Sequence, residues 1–335
     1  MSSNINLYNK ISELITSARK SLVRNINYTM VYAYYEIGRM IVEDEQKGSE
    51  RAEYGKNVLK ELSRKLSAEF GKGFSQTNLE QMRMFYNVYT IPQTVSEELQ
   101  DTPKFELSWS HYVKLMRISS PEERRFYEIE TINNNWSLRE LQRQFDSALY
   151  ERLALSRDKA EIKLLASKGQ ILEKPNDIIK DPYILEFVGL PELAQYSESD
   201  LEHELINKLE HFLLELGKGF AFIGRQVRFT FDEQHFRVDL VFYNRLLKSF
   251  VLIDLKIGKL THQDLGQMQM YVNYYDRFVK LSDENKTVGI ILCKEKSQTL
   301  VEITLPENNA AIFASQYQTI LPSKEDLKRL IDNKK

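Results

Sequence analysis

The sequence predicts two domains of different class. An all-α N-terminal domain with a helix-turn-helix-like segment precedes an α/β domain built on a central mixed sheet. Three observations carry this reading. Across residues 1–158 the apolar residues recur at helical spacing. Residues 159–180 turn polar and lysine-rich, ending in KPNDIIKDP, and read as a linker. Across residues 181–335 short runs of Val, Ile, Phe and Tyr alternate with helical segments in the order α-β-β-β-α-β.

In the first domain, Leu7 to Gly38 reads as helix and ends in the tyrosine-rich patch YTMVYAYYEIG. Tyr28, Tyr32 and Tyr35 fall on one face, as an aromatic core stripe or a base-stacking platform. Arg51 to Phe70 is a second helix, stopped by Gly71-Lys72-Gly73, and Ser75 is placed to cap the next, TNLEQMRMFYNVY. Helix, glycine turn and capped helix make the helix-turn-helix-like pattern. A proline-containing loop follows over residues 91–103, then SWSHYVKLMRI, a Ser120-Pro121 helix start, and a capping box from Ser137 to Glu140. Arg139, Arg143 and Arg152 lie on or beyond the last of these helices; Arg83, Lys114, Arg117, Arg124 and Arg125 are further candidates for phosphate contact. Surface arginines balanced by glutamate are usually only solvated.

In the second domain, a helix over residues 201–216 leads through Gly217 and Gly219 into FAFIG and RQVRFTF. Two strands follow, RVDLVFY and FVLIDLK, joined by the polar turn Asn244-Arg245. Then come a helix over 262–280, a strand VGIILC and a strand near AIFASQY. Each strand of the RVDLVFY–FVLIDLK pair holds an acid inside an apolar run: Asp239 in the first, Asp254 in the second, with Lys256 two residues on. A buried carboxylate is costly unless it is paired or binds metal, so the stretch asks for a divalent cation. An ion pair of either acid with Arg237 or Lys256 is the competing reading. Other acid-x-Lys triplets, such as Glu45-x-Lys47, Glu161-x-Lys163 and Glu284-x-Lys286, sit in polar or helical surroundings; context singles out Asp254-Leu255-Lys256.

Composition excludes several classes. With 42% hydrophobic and 28% charged residues the chain reads as globular, and no apolar run approaches a membrane span. A net charge of −2 does not advertise nucleic-acid binding, though a local basic patch is compatible with it. A single Cys, Cys293, excludes an intrachain disulfide, and with five His it argues against a Cys/His zinc site. The opening MSSNINLYNK lacks the features of a secretory signal, so the expected compartment is the cytoplasm.

These residues resemble a known family. Asp239 followed by Asp254-Leu255-Lys256, with a helix on either side, is similar to the PD-(D/E)XK nuclease superfamily, whose fold is restriction-endonuclease-like. More closely, the chain resembles the YhcG-like bacterial proteins, through YEIGRMIVEDEQ, RAEYGKNVLKELS, EFGKGFSQTNLEQMRMFY and LSWSHYVKLMRI, then FLLELGKGFAFIGRQVRF, VDLVFYN, LIDLKIGKL and GQMQMYVNYYD. The superfamily's proline is absent, since Val238 precedes Asp239. The resemblance implies a Mg²⁺-dependent nuclease acting on DNA, with Mn²⁺ substituting, in repair, recombination or defence. It implies Asp239, Asp254 and Glu202 as metal-binding acids, with the Leu255 carbonyl as a further ligand. Lys256 would orient or activate water, its pKa lowered by partial burial, and Gln267 with Tyr271 matches a glutamine-tyrosine helix motif. Glu202 is alternatively the capping partner of Ser199, and Tyr271 alternatively core. Arg225 and Gln226, like Arg139, Arg143 and Tyr271, are candidate nucleic-acid contacts. A homo-oligomer and restriction-modification or mobile-element partners fit the same resemblance. The alternatives are an RNA-directed nuclease and a non-catalytic binding or assembly module that keeps the fold.

Overall fold

The computed structural model describes residues 28–45, 52–90, 105–188 and 197–332. Within it the chain forms two compact units, Met1–Gln142 and Arg143–Lys335. Residues 7–27 of the first expected helix and the loop over 91–103 lie outside the described residues.

The first unit is helical throughout its described length: α1 (28–45), α2 (Ala52–Phe70), α3 (Gln76–Thr90), α4 (Trp109–Leu115) and α5 (Pro121–Asn134), with α6 (Leu138–Asp146) running across the division. Between α2 and α3 lies one 3₁₀ turn, Lys72–Phe74, and the Ser75 hydroxyl accepts the Asn78 N–H at 3.3 Å, as its N-cap position requires. Ser120 caps α5 in the same way, with proline in the first turn. The core gathers on Phe85 of α3, whose ring centroid lies 4.8–5.9 Å from those of Tyr35, Phe105, Trp109 and Tyr112. Of the tyrosine stripe, Tyr35 is thus core, while Tyr32 is 38% exposed. Gly38 has a packing reason: a Cβ there would stand 2.1 Å from the Met82 carbonyl oxygen, so only glycine lets α1 come this close to α3. Two arginines expected at phosphate are consumed internally. Arg83 pairs with Glu45 at 2.7 Å, and Arg124 donates to the carbonyls of Ile118 and Val88.

The second unit begins with helices α7 (Leu149–Leu155) and α8 (Lys159–Lys168). The segment 159–180, expected as a linker, is therefore built: α8 is opened by an Asp158–Glu161 capping box, and Asp177 Oδ2 accepts the N–H groups of Glu173 and Lys174. A six-stranded mixed sheet follows in the order β1-β6-β5-β4-β3-β2, with β1 (Tyr183–Ile184), β2 (Phe220–Phe231), β3 (Gln234–Asn244), β4 (Ser249–Lys259), β5 (Val288–Glu295) and β6 (Ile312–Gln318). The β2-β3-β4 meander is antiparallel; β4-β5, β5-β6 and β1-β6 are parallel. β2 and β3 join through Asp232-Glu233, both at positive φ, the turn that matches strand twist. The turn between β3 and β4 is longer than the expected Asn244-Arg245. It runs over 245–248, and the Asn244 side chain organises it by accepting the N–H groups of Leu246 and Leu247.

Helices cover both faces of the sheet. The expected single helix over 201–216 is two, α9 (Glu198–Asn207) and α10 (Leu209–Leu216), broken at Lys208. Leu201, Leu205, Phe212 and Leu216 from this pair pack on Leu240, Phe242, Val251, Ile253 and Leu255. On the other face α11 (His262–Phe278) sets Leu265, Met268, Tyr271 and Val272 against Val241, Leu252 and Ile291. Burial on both sides is why VLI and VGIILC are nearly unbroken apolar runs. Helices α12 (Gln298–Thr304) and α13 (Lys324–Asp332) complete the unit.

Arg152, expected to contact phosphate, is fully buried. It ion-pairs with Glu215 and donates through Nε to the Ser147 carbonyl at 2.8 Å, so it serves the core.

Candidate active site

The two acid-bearing strands part where their acids stand. The last rung of the β3–β4 ladder is Leu240–Ile253. One residue beyond, the Asp239 carboxylate takes over as partner: its Oδ2 accepts the Leu255 N–H at 2.9 Å. Its Oδ1 accepts from Gln226 Nε2 at 2.9 Å, and the same nitrogen donates to Glu202 Oε2 at 2.6 Å. Gln226 reaches both acids from a left-handed backbone, φ 47°, in β2. One neutral amide thus spans two carboxylates that would otherwise repel.

Asp254 lies deeper, 3% exposed. Burial, and next the negative charge of Asp239, push its carboxyl up to about 7. Lys256 Nζ stands 3.0 Å from Asp254 Oδ2 and 3.6 Å from Glu198 Oε2. Lys256 is the close cationic partner of that buried oxygen. The competing ion-pair reading is thus realised for Lys256, yet the Asp254 carboxyl stays raised. Lys256 also departs from expectation in sign. Burial lowers its pKa, but the charges of Asp254, Glu198 and Asp239 outweigh it and raise the ammonium above its ordinary value. The group is a fixed cation.

α9 forms the opposite wall. It is capped by a Ser197–Asp200 box, so Glu202 is not the capping partner of Ser199 and is released for the site. Burial pushes the Glu202 carboxyl up, the Gln226 bond opposes this, and the Asp239 charge adds to it. Glu198 and Glu202, one helical turn apart, reach Lys256 and Gln226 respectively. Glu198 is not among the residues singled out by the sequence; the i, i+4 acidic pair is the signal that points to it.

Gln267 and Tyr271 of α11 touch each other through the amide and the phenol, and the Tyr271 hydroxyl donates to the Arg237 carbonyl at 2.8 Å. Tyr271 is 1% exposed, so it is core that ties α11 to β3 and does not face a nucleic acid. Arg225 and Arg139 are exposed; Arg143 is half-buried. Among the described residues no three Asp, Glu, His or Cys side chains gather closely enough to hold a metal ion by themselves. Among them also, no helix is long and apolar enough to cross a membrane.

A parallel and antiparallel sheet flanked by helices, with two acids and a lysine where its strands diverge, is the architecture of a PDDEXK nuclease-like domain. Residues 176–332 match the family described as YhcG PDDEXK nuclease domain, and residues 10–152 match the DUF1016 N-terminal domain. The chain is 40% identical over 350 residues to "Putative nuclease YhcG" of Escherichia coli (strain K12), covering 97% of this chain and 92% of that one. The chain belongs to this YhcG family. Among solved structures it is similar to a repair endonuclease from Pyrococcus abyssi and to EndoMS in a complex with double-stranded DNA. Both are 16% identical, with TM-scores of 0.25 and 0.27, covering 39% and 40% of this chain and 50% and 49% of those chains.

Proposed function

We propose that the C-terminal domain hydrolyses phosphodiester bonds of DNA with a divalent metal ion, Mg²⁺ or Mn²⁺ in its place. The observation that carries this is the convergence of Asp239, Asp254 and Lys256 where β3 and β4 part, with the Asp254 carboxylate buried. Two acids held together at the cost of a raised Asp254 pKa form a site that a cation would relieve. The donor set fits Mg²⁺ in kind: hard oxygens from Asp239 and Asp254, and the Leu255 carbonyl. Glu202 enters through Gln226, either as an outer support or, after the amide moves aside, as a ligand. When bound, the metal supplies an acidified water and neutralises phosphate oxygens.

The protein's own groups do the positioning. Lys256, held cationic between Asp254 and Glu198, is placed to orient the attacking water and to oppose the charge that builds on phosphate. The Leu255 N–H and Gln226 fix the Asp239 carboxylate, and the Tyr271–Arg237 bond holds β3 at the height of the site. Arg225 and Arg139, both exposed, are assigned to the DNA backbone, the N-terminal helical domain to holding DNA or a partner, and the whole to cytoplasmic DNA repair, recombination or defence.

The test is cleavage of linear, nicked and branched DNA and single-stranded RNA with Mg²⁺ or Mn²⁺, comparing wild type with Asp254→Asn and Lys256→Ala. DNA cleavage by wild type alone is expected. Cleavage of RNA only would replace the substrate. Cleavage by either variant, or none by wild type, would overturn the reading in favour of a binding module.

A further inference from the structure

The β2–β3 hairpin continues beyond the site, and its outer half carries a pattern the catalytic reading does not use. Register pairs there are Val227–Val238, Arg228–Arg237, Phe229–Phe236 and Thr230–His235. Strand alternation sorts these into two faces. Val227, Phe229, Phe236 and Val238 pack in the cluster built with α11. Arg228, Thr230, His235 and Arg237 are all exposed, on the face that α11 leaves open.

Two arginines directly opposite on antiparallel strands repel each other. Among the described residues neither holds an ion pair with an acid that would offset that cost. The rung is placed beside the chemistry. Arg228 lies two residues along β2 from Gln226, and Arg237 two residues along β3 from Asp239, which is about 7 Å at ~3.3 Å per residue. Its backbone is fixed, since the Arg237 carbonyl accepts the buried Tyr271 hydroxyl. The turn acids Asp232 and Glu233 follow four residues further out, so the basic rung lies between the carboxylates of the site and those of the tip. That ordering localises an anion to one position.

We propose that Arg228 and Arg237 together clamp a backbone phosphate of the DNA strand, next to the phosphate that is cut. The clamp rests on the nuclease reading above and gives it a substrate contact. A guanidinium pair suits phosphate because each fork donates two parallel hydrogen bonds to its oxygens.

The experiment measures binding of a labelled DNA duplex across a salt series, using the full chain in the Asp254→Asn background so that the probe stays whole. The Arg228→Gln/Arg237→Gln double variant is compared with Arg245→Gln, an exposed arginine at the other end of β3. For the double variant we expect affinity to fall about tenfold and the slope of log K against log salt to fall by about one, at ~0.9 for each phosphate the protein no longer neutralises. Arg245→Gln should leave the slope in place. The melting temperature of the double variant should be unchanged or higher, because a like-charge pair has gone; a structural role would lower it. An unchanged slope, an equal drop in Arg245→Gln, or no binding of duplex by the parent overturns the clamp. Mg²⁺-dependent cleavage by the chain with Asp254 intact is scored in parallel. Cleavage with an unchanged slope removes the clamp alone, whereas a clamp-dependent slope without cleavage removes the nuclease reading alone.

Discussion

Among the charges the C-terminal domain buries, the groups around Glu215 and around Asp254 are built on opposite rules. Around Glu215 the acid is held by two cations, although burial still pushes the Lys180 ammonium down to about 8. Oε1 accepts from Arg152 and from the Ile184 N–H at 3.0 Å, Oε2 stands 4.0 Å from Lys180, and Lys180 also donates to the Glu215 carbonyl. Burial pushes Glu215 up, but Arg152 and Lys180 outweigh it and its carboxyl ends below its usual value. Around Asp254 the balance is reversed: burial and Asp239 win over Lys256. The acid of the first cluster is stabilised in its charged form by its partners; the acid of the second, proposed above to serve chemistry, is held where its charge is disfavoured. Burial alone does not tell them apart, since both acids are nearly inaccessible.

Removing the acid from each cluster sharpens the contrast. Glu215→Ala strands two buried cations and should cost about 3–5 kcal/mol, read by urea denaturation of the full chain. A loss near zero would mean that the cluster is not the closed structural unit described. Next in size is the support of the open site. Gln226→Leu leaves Glu202 and Asp239 facing each other without a shared donor, and should lower DNA cleavage by about 10–100-fold with little change in melting temperature. Full activity would show that the bridging amide is incidental.

Asp254→Asn should go the other way on stability. In metal-free buffer at pH 8 it removes a charge the fold resists, and should stabilise by about 1 kcal/mol while abolishing cleavage. A lower melting temperature would place Asp254 with Glu215 as a structural acid. The smallest effect concerns Glu128 in the helical unit, whose carboxyl is pushed up to about 7 by burial, against a hydrogen bond from Tyr112 and the charges of Arg125 and Arg124. With its folded pKa above the unfolded 4.5, the folded chain keeps a proton that the unfolded chain has lost. Stability from this group is full below about 4.5 and drains away as pH rises to about 7. Glu128 is partly exposed, which discounts the effect to about 1 kcal/mol. The gap between melting curves at pH 5 and pH 8 should narrow in Glu128→Gln; a gap as wide as in wild type would refute the assignment.

Much of the molecule is legible in its sequence because local rules decide it. Ser75, Ser120 and Ser137 cap helices, and their hydroxyls accept the N–H groups of Asn78, Glu123 and Glu140 as their spacing requires. Asp239 and Asp254 stand out because a carboxylate in an apolar strand run violates the pattern of its neighbours. What the sequence does not show is partnership. Arg152 and Arg139 look alike along a helix, yet one is buried against Glu215, 63 residues away, and the other is exposed. Gln226 reads as an edge residue facing phosphate, whereas a left-handed turn in β2 carries its amide between two acids. Lys256 is expected to lose basicity to burial, and three carboxylates brought in from α9, β3 and β4 reverse the sign.

The sequence by itself determined the two-domain order, the helix caps, the apolar strands and the two acids and lysine that break them. These depend on neighbours within a turn or a strand. The tertiary structure alone decided which charges are satisfied, where β3 and β4 part, and that two arginines stand opposite each other beside the site. Those depend on register and on helices packed from elsewhere in the chain, and electrostatic energies are set by distance in space.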